Sequence, residues 1–195
     1  MNRHLIRSLA PQGMALVVLM LHCSASLAQP GVGHSTPPAR GTSTEVNAGS
    51  EKRVSDWFTK YDQIRRNAQM TAEEKAKAHK LMTAALTGNS AEKAAAKSML
   101  SSMSNRYHRA ISSLNNLGAL PETTQLQKGY IRYFQTGNQF FQQYQRLMAM
   151  NINPAAIQGL DGARKQLTLL DVSNKLLDRK LRKQYAIAPF RSGMM

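Results

Sequence analysis

The sequence predicts an all-α protein, a bundle of about five helices that follows a signal peptide and a disordered N-terminal tether. Three observations lead there. The chain is rich in Ala, Leu, Met, Gln, Lys and Arg and poor in Val and Ile, a balance that favours helix over strand. Apolar residues recur at steps of three and four along five segments, without the alternation of a half-buried strand. Capping residues, glycines and prolines stand between those segments, where helices start and stop.

Residues 1–28 carry the three parts of a secretory signal: Arg3 and Arg7, the apolar run Met14 to Leu21, and small residues in Ser26-Leu27-Ala28. The run is eight residues long, against the roughly 20 that span a bilayer, so cleavage before Gln29 is expected rather than anchoring. The one cysteine, Cys23, lies inside this segment behind His22, where a lipidated cysteine has a small residue. Cleavage would remove it, and with it thiol catalysis, a cysteine zinc site and any disulfide. The expected location is the periplasm or the extracellular space. Residues 29–49 are dense in Pro, Gly, Ser and Thr and nearly free of large apolar side chains, which predicts a disordered linker holding a solitary His34.

The helical domain is expected over 50–188, with a short tail at 189–195. In the first helix, about 51–68, Val54, Trp57, Phe58, Tyr61, Ile64 and Ala68 line one face. Thr71 and Glu74 form a capping box that opens the second, Ala78, Leu81, Met82 and Ala85 face the core, and Gly88 closes it. The third runs from Ser90 to Leu117, with Met99, Leu100, Met103, Tyr107, Ala110, Ile111, Leu114 and Leu117 as its stripe and Gly118 as its stop. Pro121 is expected to start the fourth, reaching about Met150. Asn153-Pro154 starts the fifth, with a bend near Gly159 and Gly162 and an end near Tyr185. Its seam of Leu160, Ala163, Leu167, Leu170, Asn174, Leu177 and Leu181 has one polar member, Asn174, which either fixes register from the interior or sits at a wet edge.

Half of the twelve Phe, Tyr and Trp residues fall between Tyr130 and Tyr144. On a helix they join Leu126, Leu147 and Met148 in one arc around Gly137, expected to be core with tyrosine hydroxyls at the rim; an aromatic ligand groove is the alternative. His34, His79 and His108 lack the helical spacing of metal ligands, and Met82, Met99, Met103 and Met148 fit core stripes rather than a copper site. Five acids precede a base by four residues: Asp62 with Arg66, Glu73 with Lys77, Asp161 with Lys165, Asp171 with Lys175, and Asp178 with Arg182. No phosphate loop, helical zinc-protease motif or serine elbow occurs. These features argue against an enzyme, and no cofactor is expected.

Charge is the strongest lead to function. The chain holds 26 Lys and Arg against 11 Asp and Glu; losing Arg3 and Arg7 leaves 24 against 11, a net +13. Such a field draws anionic polymers, lipid surfaces or acidic polypeptides, and export disfavours nucleic acid as the working partner. Lys175, Arg179, Lys180, Arg182 and Lys183 crowd the end of the fifth helix, more than its dipole requires, and Arg191 follows. Lys165, Lys180 and Lys183 flank a second apolar strip of Leu169, Val172 and Leu176, so that Lys165, Lys175, Arg179, Lys180, Arg182 and Lys183 stand with these three apolar residues. These nine residues are the candidate partner-binding surface. The expected function is binding of an anionic or partly unfolded partner, and the alternative is self-assembly, or docking on another envelope protein, through the apolar strip. Met70–Glu74 and Leu167–Asp171 put an acid where the Leu-Thr-x-x-Gln repeats of small exported helical chaperones have glutamine, so no residues carry over from that family.

Overall fold

A computed structural model describes residues 48–87, 89–149 and 154–191 of the chain. Five helices follow in order: α1 (Ala48–Ala68), α2 (Ala72–Thr87), α3 (Ser90–Asn116), α4 (Thr124–Ala149) and α5 (Pro154–Gln184), with no strand among the described residues. The expected signal peptide, Met82, Ala85 and the Gly88 cap lie outside the described residues or side chains, as does nearly all of the expected linker. Its last two residues, Ala48 and Gly49, already belong to α1.

The helices begin where local chemistry satisfies their free N–H groups. At α2 the Thr71 hydroxyl accepts from the Glu74 N–H at 3.1 Å while the Thr71 N–H donates to the Glu74 carboxylate at 3.0 Å. A second capping box, not anticipated from sequence, opens α3 through Asn89 and Glu92. Gly118 stops α3 at φ 77°, and its carbonyl accepts the Trp57 indole N–H at 3.1 Å, which ties α1 to this turn. Pro121 does not start α4 directly. The Leu120 carbonyl takes the N–H groups of Thr123 and Thr124, closing a single turn, and the continuous helix begins at Thr124. In α5 the helix continues without interruption through Gly159 and Gly162.

Three long antiparallel helices, α3, α4 and α5, span two apolar clusters, and the shorter α1 and α2 each cover one of them. Under α2, Ala78 meets Leu100, Phe140, Tyr144, Leu147, Leu160 and Leu167. Under α1, Val54, Trp57, Phe58 and Tyr61 pack with Leu114, Leu126, Tyr130, Phe134 and Leu181. The aromatic arc of α4 is therefore core, not a groove. Its tyrosines do not all reach the rim, because the Tyr130 hydroxyl is buried. At Gly137 a Cβ would lie 2.4 Å from the Tyr107 ring, so the glycine lets α3 approach. Gly129 does the same for α5, where a Cβ would lie 2.1 Å from Asn174 Oδ1. Asn174 is buried, which decides between its two expected settings in favour of the interior.

Candidate functional site

The two long faces of α5 have opposite chemistry. Leu160, Leu167, Asp171, Asn174, Asp178, Leu181 and Arg182 are buried. Outward, Leu169, Val172 and Leu176 are 70%, 51% and 59% exposed, the large apolar side chains that the described surface leaves in water. Lys165, Arg179, Lys180 and Lys183 are exposed beside them. The other exposed positions between 165 and 184 are Gln166, Ser173 and Gln184. That stretch of surface holds no carboxylate, because both of its acids, Asp171 and Asp178, point into the bundle.

Seven of the nine sequence-predicted residues thus meet on one outward face. Lys175 is at its edge, half-buried and bonded to Asp171 at 2.7 Å. Arg182 is not on the surface at all. Its side chain is 4% exposed and its guanidinium spans Asp178 on α5 at 3.1 Å and Asp62 on α1. A third bond, at 2.7 Å, goes to the Ala188 carbonyl of the tail, and the ring of Phe58 lies beneath, 4.5 Å from the guanidinium carbon.

Arg182 belongs to a buried ionic cluster that sequence spacing did not reveal. Arg65 of α1 stands 3.5 Å from Asp178, with its guanidinium over the rings of Tyr130 at 4.6 Å and Phe190 at 3.9 Å. Burial pushes the Asp178 carboxyl above its ordinary range, an effect that outweighs the opposing pull of Arg65 and Arg182. Burial likewise pushes the Tyr61 phenol well up and that of Tyr130 to about 12. Those two hydroxyls influence each other electrostatically, yet they form no hydrogen bond of regular geometry. The cluster fastens α1 and the C-terminal tail to α5 and so fixes which face α5 turns outward.

The other ion pairs also depart in part from the expected spacing. Asp161 pairs with Lys165 at 2.9 Å and with Arg164, bonds that hold its carboxyl below the usual range. Asp62 turns to Arg182 rather than to Arg66, which donates to Gln63 instead. Glu73 makes no ion pair among the described residues, whereas Glu74 caps α2 and also pairs with Arg106 of α3.

A shallow open cleft lies elsewhere, between α1 and α3, lined by Lys60, Gln63, Ile64, Ser113, Asn116 and Leu117. It gathers no catalytic constellation, and among the described residues no group of His, Cys, Asp and Glu could hold a metal. His108 is exposed, its Nδ1 3.0 Å from the Ser104 carbonyl. Among the described residues, no helix is long and apolar enough to cross a membrane. Comparison with family models, curated proteins and solved structures finds no match to this chain.

Proposed function

We propose that this is an exported, non-enzymatic helical protein that binds an anionic or partly unfolded partner through the outward face of α5. One observation carries the reading: from 165 to 184 the exposed side chains are cationic, apolar or neutral, and none is acidic. Here two of the helix's three acids, Asp171 and Asp178, are withdrawn into the core, where they bind Lys175, Arg182 and Arg65, while the third, Asp161, precedes this stretch and pairs with Arg164 and Lys165. Arg179, Lys180 and Lys183 make no ion pair among the described residues, so their charge is available to a partner.

Self-association through the same strip fits less well. The outward residues 165, 169, 172, 176, 179 and 183 repeat at steps of four and three, the spacing of a helix-pairing seam. A parallel copy would set Lys165, Arg179 and Lys183 each against itself; an antiparallel one would set Lys165 against Lys183 and Leu169 against Arg179. Either arrangement opposes like charges or buries a leucine on a guanidinium.

Binding of polyglutamate, and of an acidic reduced client protein, should be measured against salt for the chain and for its Lys165→Glu/Arg179→Glu/Lys180→Glu/Lys183→Glu variant. The expected result is binding that weakens steeply as salt screens it and that the variant loses. Salt-independent binding, or binding untouched by the four reversals, would remove the reading.

A further inference from the structure

We infer that the partner of this face is an anionic lipid headgroup layer, an inference that rests on the proposed function and narrows it. The face has a lengthwise order. Lys165 stands at one end, Leu169, Val172 and Leu176 fill the middle, and Arg179, Lys180 and Lys183 occupy the other end. The line runs about 27 Å at the helical rise. An apolar strip flanked by long cationic side chains suits a helix lying in the plane of a membrane interface. Its apolar middle enters the acyl boundary while Arg179, Lys180 and Lys183 at one end reach back to the phosphates with their stems along the apolar zone; Lys165 at the other end is held by Asp161.

Shape and composition separate this occupant from a protein. The strip lies on the outer side of a single helix: exposed Gln166, Ser173 and Gln184 run along one edge, and among the described residues no second exposed row of large apolar side chains walls a groove beside it. The apolar part of the face is only three side chains, a few hundred Å², with the rest of its area cationic. A lipid layer deforms around such a face, and each cation held near an anionic surface adds attraction without an interlocking counterpart. The strip is also rigidly presented, because Asp178, Arg182 and Asp62 lock the opposite side of the same helix turns to α1.

The test uses sedimentation of the full chain with vesicles of phosphatidylcholine alone or mixed with phosphatidylglycerol, and polyglutamate as a soluble anion. Three proteins are compared: wild type, Leu169→Ser/Val172→Ser/Leu176→Ser, and the four-fold charge reversal. All share residues 1–28, so differences among them report α5. Unchanged helical circular dichroism confirms that these exposed substitutions leave the fold intact. Wild type is expected to prefer the mixed vesicles by about tenfold or more, and each variant to lose about tenfold on them. The triple-serine variant should keep its affinity for polyglutamate. If wild type binds polyglutamate but not anionic vesicles, or if the triple-serine variant binds those vesicles like wild type, the lipid inference is overturned while the broader reading stands. If wild type binds neither, both fall.

Discussion

Small residues decide how closely these helices approach. At Gly137 the Tyr107 ring occupies the space of a side chain, and that ring is itself backed by Phe134 and Phe141 at centroid distances of 4.9 and 5.2 Å. It has nowhere to retreat. Gly137→Ala should therefore cost about 1–3 kcal/mol from overpacking, more than the ~1 kcal/mol that alanine gains in helix propensity; the urea midpoint measures the net loss. The opposite holds at Ala186, where φ is 51° and the Ile187 N–H reaches the Arg182 carbonyl at 2.8 Å, closing α5 in a Schellman turn. An alanine pays there for a left-handed backbone that glycine adopts freely. Ala186→Gly should stabilise the protein by roughly 0.5–1 kcal/mol, visible as a higher melting temperature. Gly137 was legible in the sequence because it sits amid an aromatic arc. Gly129 was not, since its neighbour Asn174 is 45 positions away and only the folded register brings them together.

Among the elements, α5 shows how far periodicity reads. The leucine seam, the outward strip and the flanking lysines all follow from steps of three and four, and the burial of each side agrees. Arg182 escaped because a run of basic residues near a helix end looks uniform, and because pairing Asp178 with Arg182 says nothing about which way both point. A signal was present: Leu167, Asp171, Asn174, Asp178 and Arg182 follow one another at steps of four, three, four and four, so the polar members continue the line of a core leucine. What could not be read was the counter-charge, since Asp62 lies 120 residues upstream on α1. The two arginines of this helix end should consequently behave in opposite ways. Arg182→Ala strands Asp178 and Asp62 with only Arg65 nearby and should cost about 3–5 kcal/mol in denaturant unfolding. Arg179→Ala, on the wet face, should stay within about 0.5 kcal/mol of wild type.

At the scale of the whole molecule, each apolar cluster carries buried phenols that report on it. Tyr61 and Tyr130 lie under α1, and Tyr144 lies under α2, its phenol also pushed by burial to about 12. In each case the folded pKa stands above the unfolded value of 10, so the stabilisation from keeping the phenol neutral is complete below pH 10 and disappears as pH rises through the folded values, about 12 for Tyr130 and Tyr144, with Tyr61 also raised well above its ordinary value. Alkali should thus unfold the protein from within both halves. Whether the halves go together depends on α3, α4 and α5, which contribute side chains to both clusters: Leu100 and Leu114, Phe140 and Phe134, Leu167 and Leu181. Losing one cluster would expose half the apolar face of each long helix, so the clusters should fail in a single transition. Near-ultraviolet absorbance of tyrosinate, followed with far-ultraviolet circular dichroism, is expected to show Tyr61, Tyr130 and Tyr144 ionising in one late step that coincides with loss of helix. Tyr144→Phe should remove part of that step's amplitude without splitting it. Two separated steps, with the Tyr144 signal in one and the Tyr61 and Tyr130 signals in the other, would instead mean that α1 and α2 cover independently melting ends of the bundle.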